Sequence, residues 1–138
     1  MPVRISRKCI PYTPYRKELS EATLAIVSMA GIYLSSQEPF NLADDTSYRV
    51  IPGDARMGDL RIAHEHYDHT DADRDPNIMF PLERARELAA EGFIAGVNDK
   101  HYSFGYAQDL RAIYDRVAPE VAEALYQSST DIVLLTAG

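Results

Sequence analysis

Apolar positions in this chain fall into two rhythms, short continuous runs and stretches repeating every three or four residues, and the two alternate along the sequence. Thr23–Ser28 is a near-continuous apolar run that predicts a strand covered on both faces, with its exit loop at Met29–Leu34. Tyr48–Ile51 predicts a shorter strand halted by Pro52 and Gly53, and Leu60–Ala63 leads into a polar stretch. From Pro81, Leu82, Ala85, Leu88 and Ala89 recur at helical spacing, with Gly92 as the stop. Phe93–Val97 predicts another strand. A longer helix is expected from about Tyr106, with Leu110, Ile113, Tyr114 and Val117 on one face, a kink or restart at Pro119, and Val121, Ala122 and Leu125 beyond it. Asp131–Thr136 is a final β-branched strand running into Ala137 and Gly138. Pro2, Pro11 and Pro14 prevent regular structure near the start, so residues 1–20 read as an extended arm and 21–138 as one domain.

Strands alternating with helices predict an α/β fold: a mostly parallel sheet flanked by helices, doubly wound and Rossmann-like. Active sites in such sheets gather at the carboxyl ends of strands. That singles out Met29–Leu34, His64–Asp75 and Thr136–Gly138.

Composition narrows the partners. The 138 residues hold 46% hydrophobic and 25% charged side chains, which suits one globular domain. Fourteen Lys and Arg against 21 Asp and Glu give a net charge of -7, the wrong sign for nucleic acid or an anionic membrane. Cys9 is the sole cysteine, so no internal disulfide forms and a reducing cytoplasm is expected. No export signal is visible, and the apolar-leaning Ala22–Leu34 is too short to span a bilayer.

His64-Glu65-His66-Tyr67-Asp68-His69 fits the H-x-H-x-D-H pattern of metal-dependent hydrolases, in which imidazoles and a carboxylate bind metals that activate water. On that alternative the ligands are His64, His66, Asp68 and His69. A solvated loop at a strand end is the plainer reading. Asp68, Asp71, Asp73 and Asp75 lack the glycine and terminal glutamate of a calcium loop, and no glycine pattern for nucleotide phosphates is present.

A larger pattern covers almost the whole chain from about Pro14. His64-x-x-Tyr67-Asp68, Asp71, Asp75, Asn77 and Met79-Phe80-Pro81-x-x-Arg84-x-x-Glu87-Leu88-Ala89-Ala90-Glu91-Gly92-Phe93-Ile94 stand with His101 and Phe104-Gly105. Upstream are Ala30-Gly31, Phe40-Asn41-Leu42-Ala43 and Arg49-x-Ile51-Pro52; downstream is Val133-Leu134-Leu135-Thr136-Ala137-Gly138. Together they resemble the D-proline reductase selenoprotein subunit and, more distantly, the selenoprotein B subunits of glycine, sarcosine and betaine reductases. The chain departs from that family pattern at Glu65 and His66, where two glycines are common, and at His69.

The resemblance implies a subunit, or N-terminal part, of a reductase that cleaves the C–N bond of D-proline, glycine, sarcosine or betaine-like amines. It implies a selenocysteine or cysteine nucleophile immediately after Gly138, borne by the loop Thr136, Ala137 and Gly138, so that the sequence stops one residue short of its catalyst. It further implies a partner subunit carrying a pyruvoyl group, which holds the amine substrate, and an oligomeric assembly. His64, Tyr67, Asp68 and His101 are then the expected catalytic residues, with a histidine protonating the leaving amine and Asp68 orienting it or balancing positive charge. The competing expectations are the metal-dependent hydrolase and a non-catalytic assembly module.

Overall fold

The computed structural model describes residues 13–138. Cys9 and most of the expected arm lie outside that range. Thr13–Glu18 contains no helix or strand and leads into a single 3₁₀ turn, Leu19–Glu21.

The central strand is β1 (Thr23–Ser28). It is followed by β2 (Ile32–Leu34), β3 (Tyr48–Pro52), β4 (Leu60–Ile62), β5 (Gly96–Val97), β6 (Lys100–Phe104) and β7 (Ile132–Thr136). β1 pairs in parallel with β7 on one edge from Leu24 to Ser28. On its other edge it pairs in parallel with β5 through Thr23 and Leu24, then with β6 through Val27 and Ser28. β3 closes that side of the sheet by pairing antiparallel with β6. β2 and β4 form a separate antiparallel ribbon.

The fold is therefore α/β, as expected, with a mixed sheet: β1 pairs in parallel with β5, β6 and β7, and β3 adds one antiparallel pairing at the edge. The antiparallel member sits at an edge, where Pro52 can end the strand because its missing N–H is not needed by an outer neighbour. The exit loop of β1 also holds a strand, β2, too short to be told from loop by its pattern.

Among the described residues, four α-helical segments accompany the strands: α1 (Thr70–Arg74), α2 (Leu82–Ala90), α3 (Leu110–Ala112) and α4 (Ala118–Gln127). α3 runs into α4 through a π-helical stretch, Ile113–Val117, and Pro119 lies at the first turn of α4. The proline is tolerated there because the π-helical stretch just before it already interrupts the regular i→i−4 bonding. α2 stops where expected, at Gly92, whose φ of 81° is cheap only for glycine. Of the expected strand Phe93–Val97, only Gly96 and Val97 pair.

Alternation along β1 divides the core. Ile26 points into one cluster with Ile32, Ile51, Phe80, Leu82 and Ala85, while Val27 points into another with Tyr102, Phe104, Val117 and Val121. α2 thus covers one face of the sheet and α4 the other. The Arg86 guanidinium on α2 donates to the carbonyls of Gly53 and Ala55, tying that helix to the turn after β3. No helix among the described residues is long and apolar enough to cross a membrane.

Candidate active site at the strand ends

The ends of four strands meet at Met29–Gly31. Met29 N–H donates to the Thr136 carbonyl at 2.9 Å, Gly31 N–H to the Phe104 carbonyl at 2.8 Å, and Ala63 N–H to the Gly31 carbonyl at 2.9 Å. Gly31 has a φ of 73°, and a Cβ on it would lie 2.3 Å from the Ala63 carbonyl oxygen. Only glycine fits so close an approach. A second knot lies beneath: the hydroxyls of Ser28 and Thr136, on neighbouring strands, both donate to the Met79 carbonyl, at 3.3 and 2.7 Å.

Around this hub stand His64 and Tyr67. The Tyr67 hydroxyl donates to the Ala30 carbonyl at 2.8 Å, and the His64 and Tyr67 ring centroids are 4.8 Å apart. His64 is buried, and its Nδ1 accepts the His66 backbone N–H at 3.1 Å. An imidazole accepting through Nδ1 carries its proton on Nε2. Burial, then the neighbouring His66 and His69, lower its pKa and favour this neutral form. Burial pushes the Tyr67 hydroxyl up to about 12, with the Asp73 carboxylate adding to the effect, so it stays a protonated donor.

Gly138 lies against the same hub. A Cβ at that position would be 2.5 Å from Ala30 Cα, 2.9 Å from Tyr67 Cε1 and 3.0 Å from the Met29 carbonyl oxygen. The strand end is thus packed onto Ala30 and Tyr67, with His64 one ring further out. Thr136–Gly138, His64 and Tyr67, far apart in sequence, are brought together.

Other expected residues are used elsewhere. Asp68 Oδ1 accepts the Thr70 N–H at 3.0 Å and its hydroxyl at 2.6 Å, and these bonds hold the carboxyl below its usual range. It starts α1 and points to no partner at the hub. His69 Nδ1 meets the Asp73 carboxylate at 2.8 Å, while His66 stacks on Tyr106 with centroids 3.5 Å apart and planes 15° from parallel. His64 and His66 stay close, with ring centroids 5.6 Å apart, but Asp68 and His69 turn to other partners, and among the described residues no three His, Cys, Asp or Glu side chains are grouped to hold a metal ion.

His101 is placed apart from the hub, inside the core. It is fully buried, and its Nδ1 accepts the Ile26 backbone N–H at 2.9 Å. Its ring meets Phe80 edge-on at 6.0 Å. In the gap where β1 passes from β5 to β6, the imidazole replaces a missing strand carbonyl, which answers the need to satisfy a buried N–H. Burial pushes its pKa down to about 4.

Sequence reasoning missed Tyr106, Ser28 and the Met79 carbonyl. Tyr106 follows β6 and so stands at a strand end, but its helical-looking spacing assigned it to the following helix, which begins four residues later at Leu110. A backbone acceptor such as Met79 leaves no mark in the side-chain pattern.

What the hub presents is a strand end set beside a neutral histidine and a protonated tyrosine, on an α/β domain. Comparison with known proteins gives this arrangement a family. The model of "Glycine/sarcosine/betaine reductase selenoprotein B (GRDB)" matches residues 2–138. "D-proline reductase subunit gamma" of Acetoanaerobium sticklandii is 42% identical over 128 residues, 92% of this chain and 53% of that protein. "Betaine reductase complex component B subunit beta" of Peptoclostridium acidaminophilum is 31% identical, covering 87% of this chain and 29% of that protein. "Glycine reductase complex component B subunit gamma" of Symbiobacterium thermophilum is 30% identical, over 92% of this chain and 31% of that protein. The chain belongs to the glycine/sarcosine/betaine reductase selenoprotein B family. It spans about half the length of the D-proline reductase subunit and under a third of the other two. No solved structure matches it.

Proposed function

We propose that this chain forms the nucleophile-presenting part of a reductase subunit that cleaves the C–N bond of a proline-, glycine- or betaine-like amine. The observation that carries this reading is the seating of Gly138 on Ala30 and Tyr67, beside His64: whatever residue follows emerges at the hub. That position suits a selenocysteine or cysteine, since the strand end is fixed by close backbone packing and by the Thr136 bond to Met79. When present, such a residue would supply a selenolate or thiolate that displaces the amine nitrogen from carbon; a dithiol would then attack that selenium or sulfur, release the reduced carbon to be protonated and reset the nucleophile, while a pyruvoyl group on a partner subunit would supply the carbonyl that holds the amine.

The chain's own residues then have distinct tasks. His64 donates a hydrogen bond from its Nε2–H to the departing nitrogen, which takes the electron pair of the broken bond and draws its proton from solvent. The His66 N–H at Nδ1 disfavours the doubly protonated imidazolium, so His64 acts chiefly as a hydrogen-bond donor to nitrogen. Tyr67, held protonated, braces the Ala30 carbonyl and so the floor of the site. Asp68, kept ionised by Thr70, contributes negative charge at the rim opposite a cationic amine. His101 acts as a positioning residue for β1, the strand on which the hub is built.

The test is to express the gene with the codons that follow Gly138, alongside a version in which the next residue is serine, and assay amine reduction with the partner subunit and a dithiol. Reduction by the first and none by the second is expected. Equal activity in both, or an ordinary side chain after Gly138, overturns the proposal.

A further inference from the structure

The two edges of the main sheet are built differently. β3, at one edge, carries Arg49 and ends in Pro52, two of the devices that keep a strand edge from pairing with another chain. β7, at the other, reads Ile-Val-Leu-Leu-Thr and carries neither charge nor proline. It pairs with β1 along its whole length, and among the described residues nothing pairs with its outer side.

Its side chains are open as well. Val133 is 38% exposed, Leu134 39% and Leu135 74%. Their register places Val133 and Leu135 opposite Ala25 and Val27, toward the α4 face, and Leu134 opposite Ile26, toward the α2 face. Apolar surface is thus uncovered on both sides of one unguarded strand. A parallel strand is ordinarily buried on both faces, and an exposed one of this composition is prone to aggregate.

We infer that the outer edge of β7 seats a further parallel strand supplied by the same polypeptide beyond Gly138, with the connecting segment covering Val133 and Leu135. The length of the relatives argues for the same chain as the source: the match takes up 53% of the D-proline reductase subunit, leaving enough polypeptide there for several such strand and helix units. The added strand runs in the direction of β7, so its carboxyl end arrives beside Thr136 and supplies another wall of the hub. The inference rests on family membership and on the sheet edge; the nucleophile's identity does not enter it.

Hydrogen exchange tests it on the product of the full reading frame and on the 138-residue chain. Amides of β7 that point away from β1 are expected to exchange at least about 100-fold more slowly in the longer chain, and Leu135→Lys is expected to erase most of that protection while leaving the 138-residue chain folded. Equal exchange in the two chains, a reading frame that ends at Gly138, or protection that instead grows with the concentration of the 138-residue chain, which marks a second copy at the edge, overturns the inference. Replacing the residue after Gly138 by serine separates the two proposals: it abolishes amine reduction under the proposed function and leaves the β7 exchange pattern unchanged.

Discussion

His64 and His101 make the same contact and serve different ends. Each accepts a backbone N–H through Nδ1, at 3.1 and 2.9 Å, and each is thereby held neutral with its proton on Nε2. His64 does so just past the end of β4, beside Tyr67, on which Gly138 packs. His101 does so within the sheet, where the Nε2 proton meets no acceptor among the described residues. A histidine in a sequence is a candidate for chemistry. What separates the two is how far below the strand ends each imidazole sits.

That contrast can be broken first at His101. His101→Ala leaves the Ile26 N–H unsatisfied and opens a hole against Phe80, so about 3–4 kcal/mol of stability should be lost, read from denaturant midpoints. His101→Gln, which restores an acceptor, should recover part of it. A loss below about 1 kcal/mol contradicts the structural assignment.

Acid should act through the same residue. A folded-state pKa of about 4 against an ordinary 6.5 means that the unfolded chain binds the proton more readily, so the stability from neutral His101 is complete above pH 6.5. It should fall as the pH is lowered from 6.5 to 4, by about 3 kcal/mol in all. His64 shifts in the same direction and adds to the slope. Denaturation curves at each pH check this, and His101→Leu should flatten the profile.

At the hub the effects move from folding to reaction. In the reductase with its nucleophile, His64→Ala should lower kcat for amine reduction by about 100-fold with little change in unfolding midpoint. The reverse pattern, a large stability loss with activity retained, makes His64 a second His101. Tyr67→Phe removes one hydrogen bond to Ala30 and should cost about 1 kcal/mol. Asp68→Asn, at an exposed turn, should have the smallest effect on folding and should raise the KM for a cationic amine more than it lowers kcat.

Much of this was legible beforehand. β1, α2 and β7 follow from uninterrupted apolar runs and from helical spacing closed by glycine, because their own local signals agree with their burial. Thr136–Gly138, His64 and Tyr67 are legible as strand-end residues, and they meet at the hub. The antiparallel pairing of β3 was not legible, since strand direction depends on neighbours distant in sequence. Nor was the burial of His101, whose role is set by an unpaired N–H on β1 some 75 residues away. The H-x-H-x-D-H string misled for a related reason: spacing alone does not say that His66 turns to Tyr106, His69 to Asp73 and Asp68 to Thr70.

Alkylation tests most directly which residue is presented at the hub. The product of the full reading frame, reduced and treated with iodoacetamide at neutral pH, should carry the modification on a selenocysteine or cysteine directly after Gly138 and lose amine reduction in step with labelling. Cys9 provides the internal comparison and should label more slowly if it behaves as an ordinary thiol. Full labelling at Cys9 alone, with the residue after Gly138 untouched and activity unchanged, would contradict the account.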